Sequence, residues 1–341
     1  MKIICSIGPN VKKDMDIDEM IGHGMDMMRF NFSHINYEFT RELMEYSKEK
    51  YPKVPIIQDL QGNKLRISSL LRKETKVFPG DDIVFCSERV YYNELNDNTN
   101  KIVIPIKLEG EFSLLFEAQK FLMKDATMEF KIDSIIRERN IINTKVIRGG
   151  IIRGGKGINA PGINRSKMFL TKKDKNDVIF GLQNNVNIIC LSYVSNSRDI
   201  EELKSFIKEN VKKNPTFKMP KVWAKIESVE GVRNLHHILK VVDGIMLGRG
   251  DLSAEIDMVD LPKVQHEIIN TMRKSDKEFV IGTYILESMK RSLIPLPSEV
   301  NDIYNFIRNK VDGVMLAGEV AIGRYPLETI SFLKEIICTY K

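Results

Sequence analysis

The segment VWAKIES, Val222 to Ser228, has the composition of a buried strand but carries a lysine and a glutamate. Successive side chains of a strand point to opposite faces, so Lys225 and Glu227 share one face. Burying an unpaired charge is costly, so these residues either form an ion pair or belong to a functional site. The rest of the chain is needed to choose between these interpretations.

This strand belongs to a regular series in which short apolar runs alternate with amphipathic helical patterns. The predicted strands are 2–8, 27–33, 54–60, 187–194, 222–228, 243–250, 279–285 and 312–319. The predicted helices are 16–24, 37–50, 172–184, 198–210, 229–240, 261–275, 298–309 and 326–340. Eight alternations of strand and helix predict an α/β fold of the (β/α)8 TIM barrel type.

Residues 68–156 interrupt this series after the third strand. They contain no long amphipathic helix but several β-rich pieces, including DDIVFC and NIINTKVI. We therefore predict an inserted β-rich lid domain at 68–156 and a barrel formed by 1–67 and 157–341. The glycine-rich RGGIIRGGKG (148–157) is interpreted as a hinge, because glycine restrains the backbone little. A P-loop is rejected, since Gly157 stands where that motif needs Ser or Thr, and an RNA-binding RGG tail is disfavoured between folded segments.

The composition excludes several classes of protein. With 341 residues, 43% of them hydrophobic, the chain is long enough for a substantial core. No apolar run approaches the roughly 18 residues of a membrane helix, and the chain opens directly on the strand KIICSIG, so we expect a cytoplasmic protein without a membrane partner. Four widely spaced cysteines do not support a disulfide framework or a zinc site. The net charge of +6 suits an anionic ligand, but no basic run with interleaved aromatic residues indicates nucleic acid.

Polar residues are concentrated at the carboxyl ends of the predicted strands, where (β/α)8 barrels form their active sites. In chain order they are Arg29, Asn31, Ser33, Asp59, Ser192, Lys225, Glu227, Arg249, Gly250, Asp251, Thr283 and Glu319, with Lys64 and Arg66 just beyond the third strand. Glu227 and Asp251 offer the hard oxygen ligands that Mg²⁺ prefers. Cationic side chains surround the same end of the predicted barrel. Together with the carboxylates they suit phosphoryl transfer, because its catalysis is mostly positioning and charge neutralisation. A purely structural ion pair between Lys225 and Glu227 is the alternative.

Eight blocks of this sequence resemble the pyruvate kinase family in order and spacing. They are KIICSIGPN, MMRFNFSH, QDLQGNKLR, KGINAPG, AKIES, DGIMLGRGDLS, TYILESM and VMLAGEVAIGRYP. The resemblance covers the whole predicted barrel and, more faintly, the insertion. It implies transfer of a phosphoryl group from phosphoenolpyruvate to ADP, giving pyruvate and ATP, with Mg²⁺ or Mn²⁺ as cofactor.

The resemblance also implies roles for individual residues. Lys225 would stabilise the phosphoryl group in transit, Arg29 would contact the phosphate, and Thr283 would belong to the relay that protonates the enolate. Glu227 and Asp251 would hold the metal. The substrate would be bound by Gly250, Asp251, Arg249 and Ser192, and the nucleotide with its phosphates by His34, Lys156 and Arg66. The insertion would close over the nucleotide as a lid.

A monovalent cation is a further cofactor of many members of this family, bound by residues that match Asn31, Ser33 and Asp59. In the loop after the third strand, Lys64 stands where those members carry a glutamate. A lysine ammonium can replace the cation, because one positive charge stands in for another. We therefore expect activity that does not require K⁺.

Several positions depart from the family pattern. Tyr284 replaces a usual Gln, and Gly248 replaces a usual Ala beside the substrate site. These changes leave open a paralogue acting on another enol phosphate or carboxylate substrate in a biosynthetic pathway, or a non-catalytic sensor of phosphoenolpyruvate or nucleotide. The chain also ends after the eighth helix, where most members continue into a C-terminal regulatory domain. The expectation is therefore a monomer or homodimer rather than a tetramer.

Overall fold

The computed structural model describes residues 1–95, 101–168 and 170–340. The strands in this part of the chain are Lys2–Ile7 (β1), Met27–Asn31 (β2), Ile56–Leu60 (β3), Arg66–Ile67 (β4), Thr75–Val77 (β5), Asp82–Ser87 (β6), Ile102–Lys107 (β7), Lys120–Met123 (β8), Met128–Ile136 (β9), Ile141–Arg148 (β10), Gly150–Ile152 (β11), Ile188–Leu191 (β12), Lys221–Ile226 (β13), Gly244–Gly248 (β14), Glu278–Gly282 (β15) and Gly313–Leu316 (β16). The α-helices are Asp14–His23 (α1), Tyr37–Lys50 (α2), Glu88–Val90 (α3), Lys172–Gln183 (α4), Ser197–Lys213 (α5), Val229–Arg233 (α6), Leu235–Ile238 (α7), Arg249–Glu255 (α8), Leu261–Met272 (α9), Pro297–Arg308 (α10), Gly318–Ala321 (α11) and Pro326–Tyr340 (α12).

Eight of these strands close into a parallel barrel in the order β1, β16, β15, β14, β13, β12, β3, β2. Each apolar run predicted from the sequence supplies one of them, so the predicted (β/α)8 barrel is confirmed. The register places Asn31 beside Asp59, and Lys225 beside Met246. Because all eight strands are parallel, their carboxyl ends meet at one end of the barrel.

The barrel interior has an apolar floor and a polar upper layer. The floor consists of Ile4, Met27, Ile57, Ile188, Cys190, Trp223, Met246, Val280 and Met315. Two residues further along six of these strands, and so on the same inward face, stand Ser6, Arg29, Asp59, Ser192, Lys225 and Gly248. Trp223 fills the floor tightly, since a Cβ atom on Gly244 would lie 2.5 Å from its indole Nε1. The polar layer therefore rests on a closely packed apolar base.

One predicted barrel helix differs from expectation. The helical pattern at 229–240 is divided at Asn234 into α6 and α7. Asn234 has φ −93° and ψ 7°, outside helical geometry, and its Nδ2 donates to the carbonyl of Ser195 at 2.8 Å. This tertiary hydrogen bond accounts for the break, which the local sequence pattern does not reveal.

The chain divides into two compact units. The first comprises Met1–Gly62, Leu170–Gly250 and Pro262–Lys341, and the second comprises Asn63–Phe169 and Asp251–Leu261. The second unit contains a six-stranded sheet in the order β4, β7, β6, β10, β9, β8 and a two-stranded sheet of β11 and β5. In its core, the ring centroid of Phe85 lies 4.9 Å from that of Phe121 and 5.3 Å from that of Phe130. The residues of the proposed insertion, 68–156, fall within this unit.

The glycine-rich segment 148–157 is closely packed. A Cβ atom on Gly149 would lie 2.3 Å from the carbonyl oxygen of Val77, and one on Gly154 would lie 2.8 Å from that of Leu71. Both distances are shorter than any side chain tolerates, so glycine is required here for close approach of two backbones. The structure thus gives these glycines a packing role beside the predicted hinge role.

All four cysteines fall within the described residues, and no disulfide joins them. Cys5, Cys86 and Cys190 are buried, whereas Cys338 is exposed. Burial raises the pKa of Cys5 and Cys190 well above the ordinary value for a thiol, so both are inert. Within the described part of the chain, no helix combines the length and the apolar character needed to cross a membrane.

Candidate active site

Lys225 and Glu227 form an ion pair, and Lys225 also contacts Asp59. The Nζ atom of Lys225 lies 3.0 Å from Oε1 of Glu227 and 3.3 Å from Oδ2 of Asp59. All three residues are buried: Lys225 is 9% exposed and each carboxylate residue 1%. Since one ammonium group faces two buried carboxylates, the cluster is larger than a simple structural pair.

Arg29 supplies the second cation of this cluster. Its Nη2 and Nε atoms donate to Oδ2 of Asp59 at 2.5 and 3.0 Å, and its Nη1 donates to Oγ of Ser6 at 3.0 Å. The hydroxyl of Ser192 donates to the other oxygen of Asp59 at 3.0 Å. Burial favours a higher pKa for Asp59, but Lys225 and Arg29 outweigh burial and hold that pKa below its ordinary value. Asp59 is therefore an ionised carboxylate that orients both cations.

The Glu227 carboxylate lies between the backbone at Tyr193 and the backbone at Gly248. Its Oε2 accepts a hydrogen bond from the backbone N–H of Tyr193 at 3.1 Å. On the neighbouring strand, a Cβ atom on Gly248 would lie 2.6 Å from Oε1 of Glu227. The carboxylate therefore occupies space that the methyl group of the usual alanine would take. The sequence departure at Gly248 directly affects the position of Glu227.

The hydroxyl of Thr283 is held at the end of β15. Its Oγ1 accepts a hydrogen bond from the N–H of Gly250 at 2.8 Å and donates to the carbonyl of Gly282 at 2.6 Å. The N–H of Gly250, a residue predicted to bind substrate, thus has Thr283 as a partner in this structure. Arg249, predicted to bind substrate, donates to the carbonyl oxygens of Thr283 and Tyr284.

A pocket of about 200 Å³ opens beside β1 and β2. Its lining is mainly apolar and includes Ile7, Pro9, Phe30 and Phe39, together with Asn31 and His34. Asn31 caps the short 3-10 turn Phe32–His34 by accepting a hydrogen bond from the N–H of Ser33 at 3.1 Å. The structure therefore brings the predicted nucleotide residue His34 close to two of the predicted cation residues.

The remaining predicted residues lie in the second unit. The Nζ atom of Lys64 is 2.8 Å from both carboxylate oxygens of Asp251. A Cβ atom on Gly157 would lie 2.6 Å from Cε of Lys64, so glycine at this position leaves room for the lysine. Arg66 donates to a backbone carbonyl at 2.8 Å, and Lys156 is exposed. Lys64 and Asp251 therefore form an ion pair.

The predicted metal ligands, Glu227 and Asp251, each attract an ammonium group. Lys225 lies 3.0 Å from Glu227, and Lys64 lies 2.8 Å from Asp251. A carboxylate that attracts a cation has the charge and the hard oxygen atoms that Mg²⁺ or Mn²⁺ needs, so the donor chemistry fits such an ion. Over residues 1–95, 101–168 and 170–340, no group of three or more His, Cys, Asp or Glu side chains is arranged to hold a metal.

Glu319, at the end of β16, lies near the Glu287 carboxylate, which the sequence does not predict. It is fully buried, and its Oε2 accepts a hydrogen bond from the N–H of Ala317 at 2.6 Å. Burial, reinforced by the nearby Glu287 carboxylate, raises the pKa of Glu319 to about 8. Glu319 is therefore mostly protonated at neutral pH. No local pattern marks this pair, because Glu287 lies in the turn after the preceding barrel strand.

Comparisons with known proteins point to one family. A family model described as the barrel domain of pyruvate kinase matches residues 1–330. The chain is 32% identical to the pyruvate kinase of Clostridium perfringens over 344 residues, which cover 98% of this chain and 69% of that protein. It is 30% identical to the pyruvate kinase of Sporosarcina psychrophila over 342 residues, covering 99% of this chain and 56% of the relative. Pyruvate kinase 2 of Synechocystis is 31% identical over 341 residues, with 98% and 56% covered. The chain thus spans little more than half the length of the last two relatives.

Proposed function

The chain belongs to the pyruvate kinase family, and we propose that it transfers the phosphoryl group of phosphoenolpyruvate to ADP, giving pyruvate and ATP. The observation that supports this most directly is the buried cluster of Arg29, Asp59, Lys225 and Glu227 at the carboxyl ends of the barrel strands. The cluster holds two cations in fixed positions. Fixed cations stabilise the charge that spreads over a transferring phosphoryl group, which is the main task of such an enzyme.

Lys225 is proposed to stabilise the phosphoryl group in transit, and Arg29 to bind the phosphate. Both side chains are buried, so solvent screens their attraction for an incoming anion only weakly. A single oxygen of Asp59 contacts both cations and so fixes their separation. Ser192, a proposed substrate residue, donates to the other oxygen and orients the carboxylate further.

Glu227 and Asp251 are the proposed ligands of Mg²⁺ or Mn²⁺. When bound, the metal would supply the Lewis acid that neutralises phosphate oxygens. Tyr193 fixes the Glu227 carboxylate through its N–H. The carboxylate of the substrate is proposed to bind at Gly250 and Asp251, and Thr283 is proposed to belong to the relay that protonates the enolate. In this structure the Thr283 hydroxyl donates to the carbonyl of Gly282.

The nucleotide is proposed to bind at the pocket beside His34, because apolar lining with a few polar side chains is typical of a small-molecule site. Arg66 and Lys156 are proposed to contact its phosphates, and residues 68–156 to act as its lid. Activity without K⁺ is proposed because Lys64 supplies a positive charge in the third-strand loop. Arg29 and Lys225 also neutralise the charge of Asp59, one of the residues predicted to bind the cation. This neutralisation supports the same proposal.

The test measures ATP and pyruvate together, using the purified 341-residue chain with phosphoenolpyruvate, ADP and Mg²⁺, in the presence and absence of K⁺. We expect equal amounts of both products, at rates that K⁺ changes by less than about twofold. Strong stimulation by K⁺ would overturn the role of Lys64. Failure to form either product would overturn the proposed reaction.

A second candidate is transfer from a different enol phosphate. The glycine at position 248 favours it, because a Cβ atom there would lie 2.6 Å from Oε1 of Glu227, one proposed metal ligand. Assaying a series of enol phosphates for ATP formation would distinguish the two candidates. A substrate turned over at least tenfold faster than phosphoenolpyruvate would establish the second.

A further inference from the structure

The backbone after β15 turns in an unusual conformation. Thr283, Tyr284 and Leu286 have φ angles of 64°, 57° and 54°, in the left-handed region. Residues other than glycine rarely adopt this conformation, because Cβ crowds the neighbouring backbone. Three such residues within four positions require a restraint from outside the turn. This turn, residues 283–286, carries the hydroxyl group proposed for proton transfer.

Arg249 restrains this turn through its backbone carbonyl groups. Its Nε and Nη2 donate to the carbonyl of Thr283 at 3.1 and 2.7 Å, and Nη2 also donates to the carbonyl of Tyr284 at 2.9 Å. The peptide units of two consecutive left-handed residues are therefore held by one planar guanidinium group. A planar fork of donors fixes orientation as well as distance.

The other side of Arg249 is anchored to two helices. Its Nη1 donates to Oε1 of Gln265 on α9 at 3.3 Å and to Oδ2 of Asp302 on α10. The guanidinium carbon also lies 5.3 Å from the ring centroid of Phe306 on α10. With these contacts all five N–H groups of the guanidinium have protein acceptors. The side chain is only 7% exposed, so it is a built part of the barrel end.

We propose that Arg249 is a positioning residue that holds the 283–286 turn in its left-handed conformation and thereby fixes the Thr283 hydroxyl against the N–H of Gly250. This inference rests on the proposed function, in which Thr283 passes a proton. It replaces the expectation that Arg249 itself binds substrate. Lysine cannot take over this role, because one ammonium nitrogen does not span two carbonyl groups and two helices.

Hydrogen exchange followed by mass spectrometry tests the restraint independently of activity. Arg249→Lys should raise the exchange rate of peptides covering 283–286 by about tenfold or more, while the other barrel strands keep their wild-type rates. Arg308→Met is the matched control, because Arg308 is exposed and lies over Tyr304 on α10. Equal exchange of the turn in wild type and Arg249→Lys would overturn the proposal.

If Arg249→Lys does not fold, Asp302→Asn takes its place in the exchange measurement. This variant weakens one anchor and leaves the arginine in place, so a smaller increase in exchange, confined to the same turn, is expected. Unchanged exchange in a folded Asp302→Asn protein would count against the restraint.

Kinetics separate positioning from substrate binding. Arg249→Lys should lower kcat by about 10²-fold, whereas KM for phosphoenolpyruvate should change by less than about threefold. A KM raised more than about tenfold, with unchanged exchange of the turn, would assign Arg249 to substrate binding instead. If the wild-type chain transfers no phosphoryl group, the proposed function fails. The exchange measurement then decides the role of Arg249 by itself.

Discussion

The floor and the upper layer of the barrel share six strands and are both buried, yet they differ in polarity and in charge. The floor is apolar and closely packed around Trp223, whereas in the layer two residues further along Arg29 and Lys225 both contact Asp59. Floor residues gain stability from apolar burial. Buried ion pairs contribute little net stability, because desolvation offsets their attraction. On any one strand, substitutions in the floor should therefore lower stability, whereas substitutions in the upper layer should lower activity.

Lys225→Met should give the largest effect and tests whether a substitution in the upper layer lowers activity. We expect kcat to fall by about 10³-fold, equivalent to about 4 kcal/mol, because the buried cation proposed to stabilise the phosphoryl group is lost. Steady-state kinetics with phosphoenolpyruvate and ADP measure this. Lys221→Met is the control on the same strand, since Lys221 is exposed and pairs with Glu278 at 3.0 Å. Retention of more than a tenth of wild-type turnover would contradict the role of Lys225.

Met246→Ala tests whether a substitution in the floor lowers stability and spares activity. Met246 is fully buried in the floor, and its truncation should lower the free energy of unfolding by about 3 kcal/mol through lost burial and a residual cavity. Urea unfolding measures this, with the 47% exposed Met219 changed to alanine as control. The kcat of the folded variant should stay within about threefold of wild type. A loss of kcat as large as that of Lys225→Met would break the separation between the layers.

Gly248→Ala lies on the same strand as Met246, one inward position higher. The added methyl group would lie 2.6 Å from Oε1 of Glu227, so the carboxylate must move from its present position. We expect about a tenfold loss of kcat and weaker Mn²⁺ binding, measured by titration calorimetry, with at most about 1 kcal/mol of destabilisation. Gly22→Ala is the matched control, because nothing lies within 4 Å of its added Cβ atom. Unchanged Mn²⁺ binding would show that Glu227 does not depend on Gly248.

Glu319→Gln should change stability in a way that depends on pH. Burial, reinforced by Glu287, raises the pKa of Glu319 in the folded state from the ordinary 4.5 to about 8. Because the folded state binds the Glu319 proton more tightly than the unfolded state, this proton stabilises the fold fully below about pH 4.5. That stabilisation is lost as the pH rises to about 8. The free energy of unfolding of wild type should therefore decline relative to Glu319→Gln over this interval. Urea unfolding at several pH values, with exposed Glu335→Gln as control, measures this, and parallel pH profiles would contradict it.

The sequence predicts the barrel because its signals are local. Alternation within each strand and amphipathic periodicity within each helix depend on neighbouring residues, and the eight predicted strands are all present. The same alternation correctly places Lys225 and Glu227 on one face, where they pair. The candidate residues at strand ends follow from the parallel topology, which brings all carboxyl ends together.

The contacts within the site could not be predicted in the same way. The bonds from Arg29 to Ser6 and from Arg249 to Asp302 join residues of different elements, and their partners depend on packing. The left-handed turn at Thr283 is equally hidden, because no glycine marks it. The close packing of Gly149 against Val77 also depends on strand pairing in the second unit, whereas the composition of this segment predicts only a hinge.

The position of Trp223 has a consequence for spectroscopy. It is the single tryptophan of the chain, fully buried, and two residues from Lys225 on the same inward face. Its indole N–H has no hydrogen-bond acceptor among the described residues. An indole in such dry surroundings fluoresces at short wavelength and responds to nearby charge. The emission of one native side chain should therefore report both the unfolding of the barrel and the arrival of an anion or a metal above it, without any added label.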